Sequence, residues 1–185
     1  METTLKACVK INLPETRQTH RYDCGANCLK GICRYYGVGP DDEDAYIEMI
    51  HAKPDGAHPK DIVKAARSLG LKAEFHNRFS VKRLKKCLDE SKPVICEIQA
   101  WCKPENYHKL VAGHFVVAIG YDDDHIFFED PLLKSARGFL GWDEFVGRWK
   151  EREMNGDLFT RSVVIVWKEG VPLKKKVLNK ARHID

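Results

Sequence analysis

Apolar positions in the first half of the chain recur at helical spacing. Cys28, Leu29, Ile32, Cys33 and Tyr36 share one face of a segment running from Cys24 to Tyr36, and Gly37 supplies a stop. Asp41 and Asp42 stand where they can cap a second helix carrying Ala45, Tyr46, Met49 and Ile50, which Pro54 ends. The acidic run Asp41-Asp42-Glu43-Asp44 suits the positive end of that helix dipole better than a metal site. Pro59, at a first helical position, opens a third helix whose buried stripe is Ile62, Val63, Ala66 and Leu69, with Gly70 as its stop. A short extended piece from Leu71 to Phe75 leads to a fourth helix. It starts at Ser80, buries Val81, Leu84, Cys87 and Leu88, and ends before Pro93.

Beyond Pro93 the pattern changes to β-branched and aromatic runs bounded by turn residues: Val94 to Ala100, His114 to Tyr121, Ile126 to Glu129 and Arg161 to Trp167. One amphipathic helix, Trp142 to Lys150, interrupts them and is expected to bury Phe145, Val146 and Trp149. Helices first and a mostly antiparallel sheet second make an α+β fold. If Tyr121 to His125 form a hairpin loop, Gly120 lies opposite Ile126 and Asp130 opposite Val116. Asp122, Asp123 and Asp124 are then solvated turn residues.

The chain has 185 residues, 43% apolar and 31% charged, a composition that supports one domain with its own core. The expected organisation is a single domain over 1–185, with its core at about 15–168 and a basic tail at about 170–185. A formal charge of +4 with scattered basic residues argues against nucleic-acid binding. The Lys174-Lys175-Lys176 triplet reads as a solvated tail. No apolar run has the length of a signal peptide core or a membrane span, so the expected location is cytoplasmic. Seven cysteines without an export signal read as reduced thiols rather than a disulfide framework. Cys28, Cys33, Cys87 and Cys96 are taken as small buried apolar residues. No repeat and no phosphate-cradling Gly-Lys-Ser/Thr loop is present.

Chemistry concentrates at Gln18-Thr19-His20-Arg21-Tyr22-Asp23-Cys24-Gly25-Ala26-Asn27-Cys28, where Cys24 begins a helix. The partial positive charge there stabilises a thiolate, and the unpaired Cys24 amide can donate to an oxyanion. Gln18 can supply a second donor from its side chain. A nucleophilic cysteine needs an imidazole, and it can come from far along the chain. Of the eight histidines, His114 opens a strand just after Gly113. The expected hairpin makes Asp130 its diagonal neighbour, suited to accept the second ring N–H and fix the tautomer. Pro131 ends the ladder at that point.

With these residues in view, the chain resembles the bacteriocin-processing, double-glycine-leader cysteine peptidases of the papain-like clan. The six-residue step from Gln18 to Cys24 carries the resemblance, as do Asp-Cys-Gly-Ala opening a helix that ends Tyr35-Tyr36-Gly37, the stretch Gly113-His114-Phe115-Val116-Val117, and the pair Asp130-Pro131. Weaker similarity runs through Asp55-Gly56-Ala57-His58-Pro59, Gly70-Leu71, Pro93-Val94-Ile95 and Gln99-Ala100-Trp101. The resemblance implies a papain-like fold, a Cys24, His114 and Asp130 triad, Gln18 as oxyanion glutamine, and acyl transfer without metal or organic cofactor. It implies a peptide or protein substrate and, because such peptidases are commonly fused to an exporter that is lacking here, a stand-alone form with a separate exporter as partner. The segment between Trp101 and Gly113 reads as a loop shaping the cleft.

Other classes fit less well. Cys24 and Cys28 are four apart on a helix and no Cys-x-x-Cys pairs occur, which disfavours a zinc site. A catalytically silent papain-like domain that binds peptides would not need all four reactive residue types. A transpeptidase or amidase would share the thioester and differ in the acceptor.

Overall fold

The computed structural model describes residues 4–153, 156–170 and 176–185. After strand β1 (Thr4–Val9), the helical half comprises α1 (Cys24–Tyr36), α2 (Glu43–Met49) and α3 (Pro59–Ser68), followed by strand β2 (Lys72–His76) and helix α4 (Val81–Asp89). Local chemistry explains their limits. Gly37, at φ 66°, closes α1 with its N–H on the Arg34 carbonyl. Pro59 occupies the first turn of α3, and Ser80 Oγ caps α4 by accepting from Arg83 N–H at 3.2 Å. Asp42 does precede α2 in extended conformation, but its side chain makes no capping bond, and the helix stops at Met49, short of Pro54.

The second half contributes β3 (Val94–Gln99), a 3₁₀ turn at Pro104–Lys109, β4 (Gly113–Tyr121), β5 (His125–Glu129), β6 (Arg137–Gly141), α5 (Trp142–Arg148), the short β7 (Lys150–Arg152) and β8 (Leu158–Thr160), then β9 (Val163–Trp167) and β10 (Lys176–His183). The main sheet runs β1-β10-β6-β5-β4-β3-β9-β2 and is antiparallel except where β10 meets β6. β7 and β8 form a separate ribbon. Helix α1 packs on β4, and α3 packs on β2 and β9. Their shared core includes Leu29, Ile32, Ile62, Val116 and Val164.

Three expectations need correction. Val146 is exposed at 40%; α5 is so short that Phe145 and Trp149 take its inner side and leave Val146 outside. Of the expected solvated tail, Lys174 and Lys175 lie outside the described residues, whereas Lys176–His183 is a strand between β1 and β6, followed by buried Ile184. Its partners are distant in sequence, so no local hairpin signal announces it.

The hairpin register is the third. Tyr121 pairs with Ile126 and Gly120 with Phe127, one step from the expected pairing. A bulge then absorbs Ile119, so Ala118 faces Phe128, Val117 faces Glu129, and Asp130 arrives level with Val116 after all. The bulge frees the Ile119 carbonyl to accept N–H bonds from Lys10 and Ile11, both at 2.9 Å, which brings the N-terminal strand across β4. A β-carbon on Gly120 would overlap the Cys8 carbonyl there. Gly120→Ala is therefore expected to destabilise the protein by about 3 kcal/mol, an overpacking cost against rigid backbone, measured by urea unfolding.

Candidate active site

Each reactive group sits at the end of a regular element. Cys24 is the first residue of α1 and is buried, 7% exposed, at the helix N-terminus. His114 is the second residue of β4, 5% exposed, and Asp130 follows β5, 1% exposed. Asp130 Oδ1 lies 2.7 Å from His114 Nε2. A carboxylate only accepts, so the bond puts the ring proton on Nε2 and leaves Nδ1 for another partner. Cys24 is near enough to the His114 ring to help raise its pKa. Cys24, His114 and Asp130 are thus brought together from three elements.

Burial by itself disfavours the charged ring and lowers the His114 pKa. The Asp130 charge and hydrogen bond, with a contribution from Cys24, outweigh it and raise the value to about 10. Asp130 is held on both oxygens: Leu132 N–H donates to Oδ1 at 2.8 Å and the Trp101 indole N–H to Oδ2 at 3.2 Å.

Trp101 is a site residue that periodicity could not assign, because it stands in a loop at φ 59° with its main-chain N–H on the Asp185 carbonyl. The chain on both sides of it is tied down by Arg148, which donates to the Gln99 carbonyl at 2.7 Å and lies over the Tyr107 ring. Trp101→Phe keeps the ring but removes the donor to Asp130. The expected result is a fall in kcat of about tenfold, the equivalent of one hydrogen bond of about 1.4 kcal/mol, with little change in the urea midpoint.

Gln18 is anchored by its own N–H to the Pro131 carbonyl at 3.2 Å, one residue past Asp130. Its side-chain Nε2 donates to the His20 carbonyl at 2.8 Å, which uses one of two amide protons, and its Oε1 is buried without a protein partner. The loop between Gln18 and Cys24 turns around Asp23, whose Oδ2 accepts the N–H groups of Thr19 and His20 at 3.0 and 2.9 Å. Burial opposes charge on Asp23, but hydrogen bonding to Glu43 and to these amides holds its pKa below the ordinary value. His20, Asp23 and Glu43 bring three ligand-type atoms within 4.8 Å of one another, with the Thr19 hydroxyl among them, 3.0 Å from Glu43 Oε1.

Acidic groups near Cys24 also escaped the sequence. Glu97, beside His114's neighbour Phe115 in the β3–β4 ladder, has its pKa pushed well up by burial and then by the charges of Glu153, Glu151 and Cys24. All seven cysteines are free thiols, and burial raises those of Cys28, Cys33, Cys87 and Cys96. Those four therefore behave as the small buried residues expected, although Cys87 is only half-buried.

With this geometry in hand, the chain can be compared with known proteins. The profile of the Peptidase C39 family matches residues 12–154. The chain belongs to the Peptidase C39 family. That makes it a peptidase by family, and the match spans the Cys24, His114 and Asp130 positions. No curated protein matches it. Among solved structures, a putative C39-like peptidase from Bacillus anthracis is 18% identical, with a TM-score of 0.68 over 88% of this chain and 98% of that one. The peptidase domain of Streptococcus ComA, a bifunctional ABC transporter, is 18% identical with a TM-score of 0.63, covering 83% and 97% of the two chains. A double glycine motif protease from an AMS/PCAT transporter, solved with a leader peptide, is 21% identical with a TM-score of 0.60, covering 88% and 97%. At these identities the likeness establishes the α+β papain-like peptidase fold. Among the described residues no helix is long and apolar enough to cross a membrane.

Proposed function

We propose that this C39 family member is a cysteine peptidase that hydrolyses peptide bonds with Cys24 as nucleophile, His114 as general base and acid, Asp130 as the group orienting His114, and Gln18 as an oxyanion donor. The observation that carries the reading is the 2.7 Å His114–Asp130 bond, on an imidazole whose pKa is raised by Asp130 and also by nearby Cys24. No metal or organic cofactor enters the chemistry.

In the first half-reaction His114 holds the thiol proton while the Cys24 sulfur attacks a peptide carbonyl carbon. The oxyanion accepts from the Cys24 main-chain N–H, which has no partner within the helix, and from the second N–H of the Gln18 amide. Collapse breaks the C–N bond, His114 protonates the departing amine, and a thioester remains on Cys24. Water then gives a proton to His114 and attacks the thioester. Release of the acid returns sulfur and imidazole to their starting state. Asp130 keeps the ring in one tautomer throughout and stabilises the imidazolium.

For substrate, we infer a peptide with small residues before the scissile bond. The support is the resemblance to double-glycine-leader peptidases together with the double glycine motif protease found among the structural relatives. A separate exporter as delivery partner, a cytoplasmic setting and a single domain over 1–185 belong to the same reading. The test is mass spectrometry of a peptide library, including acyl-Gly-Gly amides, exposed to wild type and to Cys24→Ala. Cleavage by wild type alone, enriched after Gly-Gly, is expected; cleavage by both proteins, or by neither, would sink the reading. Offering amine acceptors beside water in the same assay separates hydrolysis from transpeptidation.

A further inference from the structure

The oxyanion role proposed for Gln18 requires its amide to be held at a defined place, yet residues 10–23 form no helix or strand. What holds the segment is a pair of buried charges away from the reacting groups. Arg137 in β6 is 4% exposed and Glu129 at the end of β5 is 2% exposed. Arg137 Nη1 donates to Glu129 Oε2, while Nη2 donates to the Leu13 carbonyl at 2.5 Å. The other oxygen, Glu129 Oε1, accepts the Thr16 N–H at 3.2 Å and lies 3.6 Å from Arg17 Nη1. Thr16 in turn donates its hydroxyl to the Asn27 carbonyl of α1 at 3.1 Å. Gln18 follows two residues later with its N–H on the Pro131 carbonyl.

We propose that Arg137 and Glu129 are positioning residues for the peptidase reaction, a buried clamp that sets where the Gln18 amide stands. Resting on the oxyanion reading, this adds a pair that touches neither substrate nor nucleophile. The physical case is that buried charges are kept only with excellent geometry and saturated hydrogen bonds. Here both arms of the guanidinium and both carboxylate oxygens are used, and every partner outside the pair lies in the 13–17 segment.

A merely stabilising pair would lower unfolding resistance and leave turnover per folded molecule alone. A clamp on Gln18 instead makes its loss redundant once Gln18 is gone. The experiment measures kcat for hydrolysis of an acyl-Gly-Gly-aminocoumarin amide, per active site titrated with a thiol-reactive inhibitor, in a double-mutant cycle. Arg137→Lys keeps the charge but cannot hold Glu129 and the Leu13 carbonyl with two separate arms. It is expected to lower kcat about tenfold in the wild-type background, since displacement of a catalytic donor by about 1 Å can cost up to ~100-fold. In the Gln18→Ala background its effect should shrink to less than about twofold, because the cycle isolates the coupled term. Thr16→Val, which unpairs no charge, should show the same coupling more weakly and covers the case in which Arg137→Lys folds poorly. Equal losses in both backgrounds would overturn the clamp while leaving the oxyanion reading in place. Wild-type kcat in Gln18→Ala itself would remove the oxyanion role and the clamp with it.

Discussion

Cys24→Ala is expected to abolish peptide cleavage, by at least ~10⁴-fold in kcat, while the protein folds as before. The loss follows from the proposed chemistry: without the sulfur no thioester can form, and water must attack an unactivated amide. Removing the nucleophile of a serine peptidase costs about 10⁶ in kcat, so the bound is conservative. The retained fold follows from size, because alanine leaves out only one sulfur atom at the edge of the core, a change worth about 1 kcal/mol. Product formation by mass spectrometry and the urea midpoint report the two halves. Activity within tenfold of wild type would place the nucleophile elsewhere.

The His114–Asp130 pair should make stability fall at alkaline pH. An exposed histidine titrates near 6.5, and in the fold the Asp130 carboxylate, with a smaller contribution from Cys24, overcomes burial and raises His114 to about 10. Below pH 6.5 both folded and unfolded chains bind this proton, and the pair contributes its full stabilisation. Between 6.5 and 10 the unfolded chain has released the proton that the folded one keeps, so stability declines by at most about 1.4 kcal/mol per pH unit. The loss is complete above pH 10. Urea midpoints of wild type should therefore drop from pH 6 to pH 9.5. Asp130→Asn removes the charge that raises the ring and should flatten much of that slope, while also lowering activity. An unaltered slope in Asp130→Asn would mean that some other group carries the pH dependence.

How far these residues could be read in advance depended on the range of the forces that place them. Helix α1 and the position of Cys24 at its start follow from a local pattern: an apolar stripe at helical spacing and a glycine that alone adopts the left-handed stop comfortably. The pairing of His114 with Asp130 was legible because β4 and β5 are consecutive strands joined by a short turn. Even there the reading reached Asp130 by compensation, since the turn is one step off and the bulge at Ile119 restores the register. That bulge goes with the N-terminal segment crossing at Gly120, a contact between segments far apart in sequence.

The same reasoning explains the omissions. Trp101 reaches Asp130 from a loop, β10 pairs with β1 across nearly the whole chain and with β6 past three intervening strands, and the Arg137–Glu129 clamp joins β6 and β5 to residues 13–17. None of these has a periodic signature. The chain's one-dimensional pattern is enough to dictate its class, its helices, its central strands and which side chains are capable of the chemistry, because propensity, capping and alternation act over a few residues. Which oxygen meets which proton, where Gln18 stands and what supports Asp130 were settled only when the distant strands closed, since buried polar groups find their partners wherever packing brings them rather than where the sequence lists them.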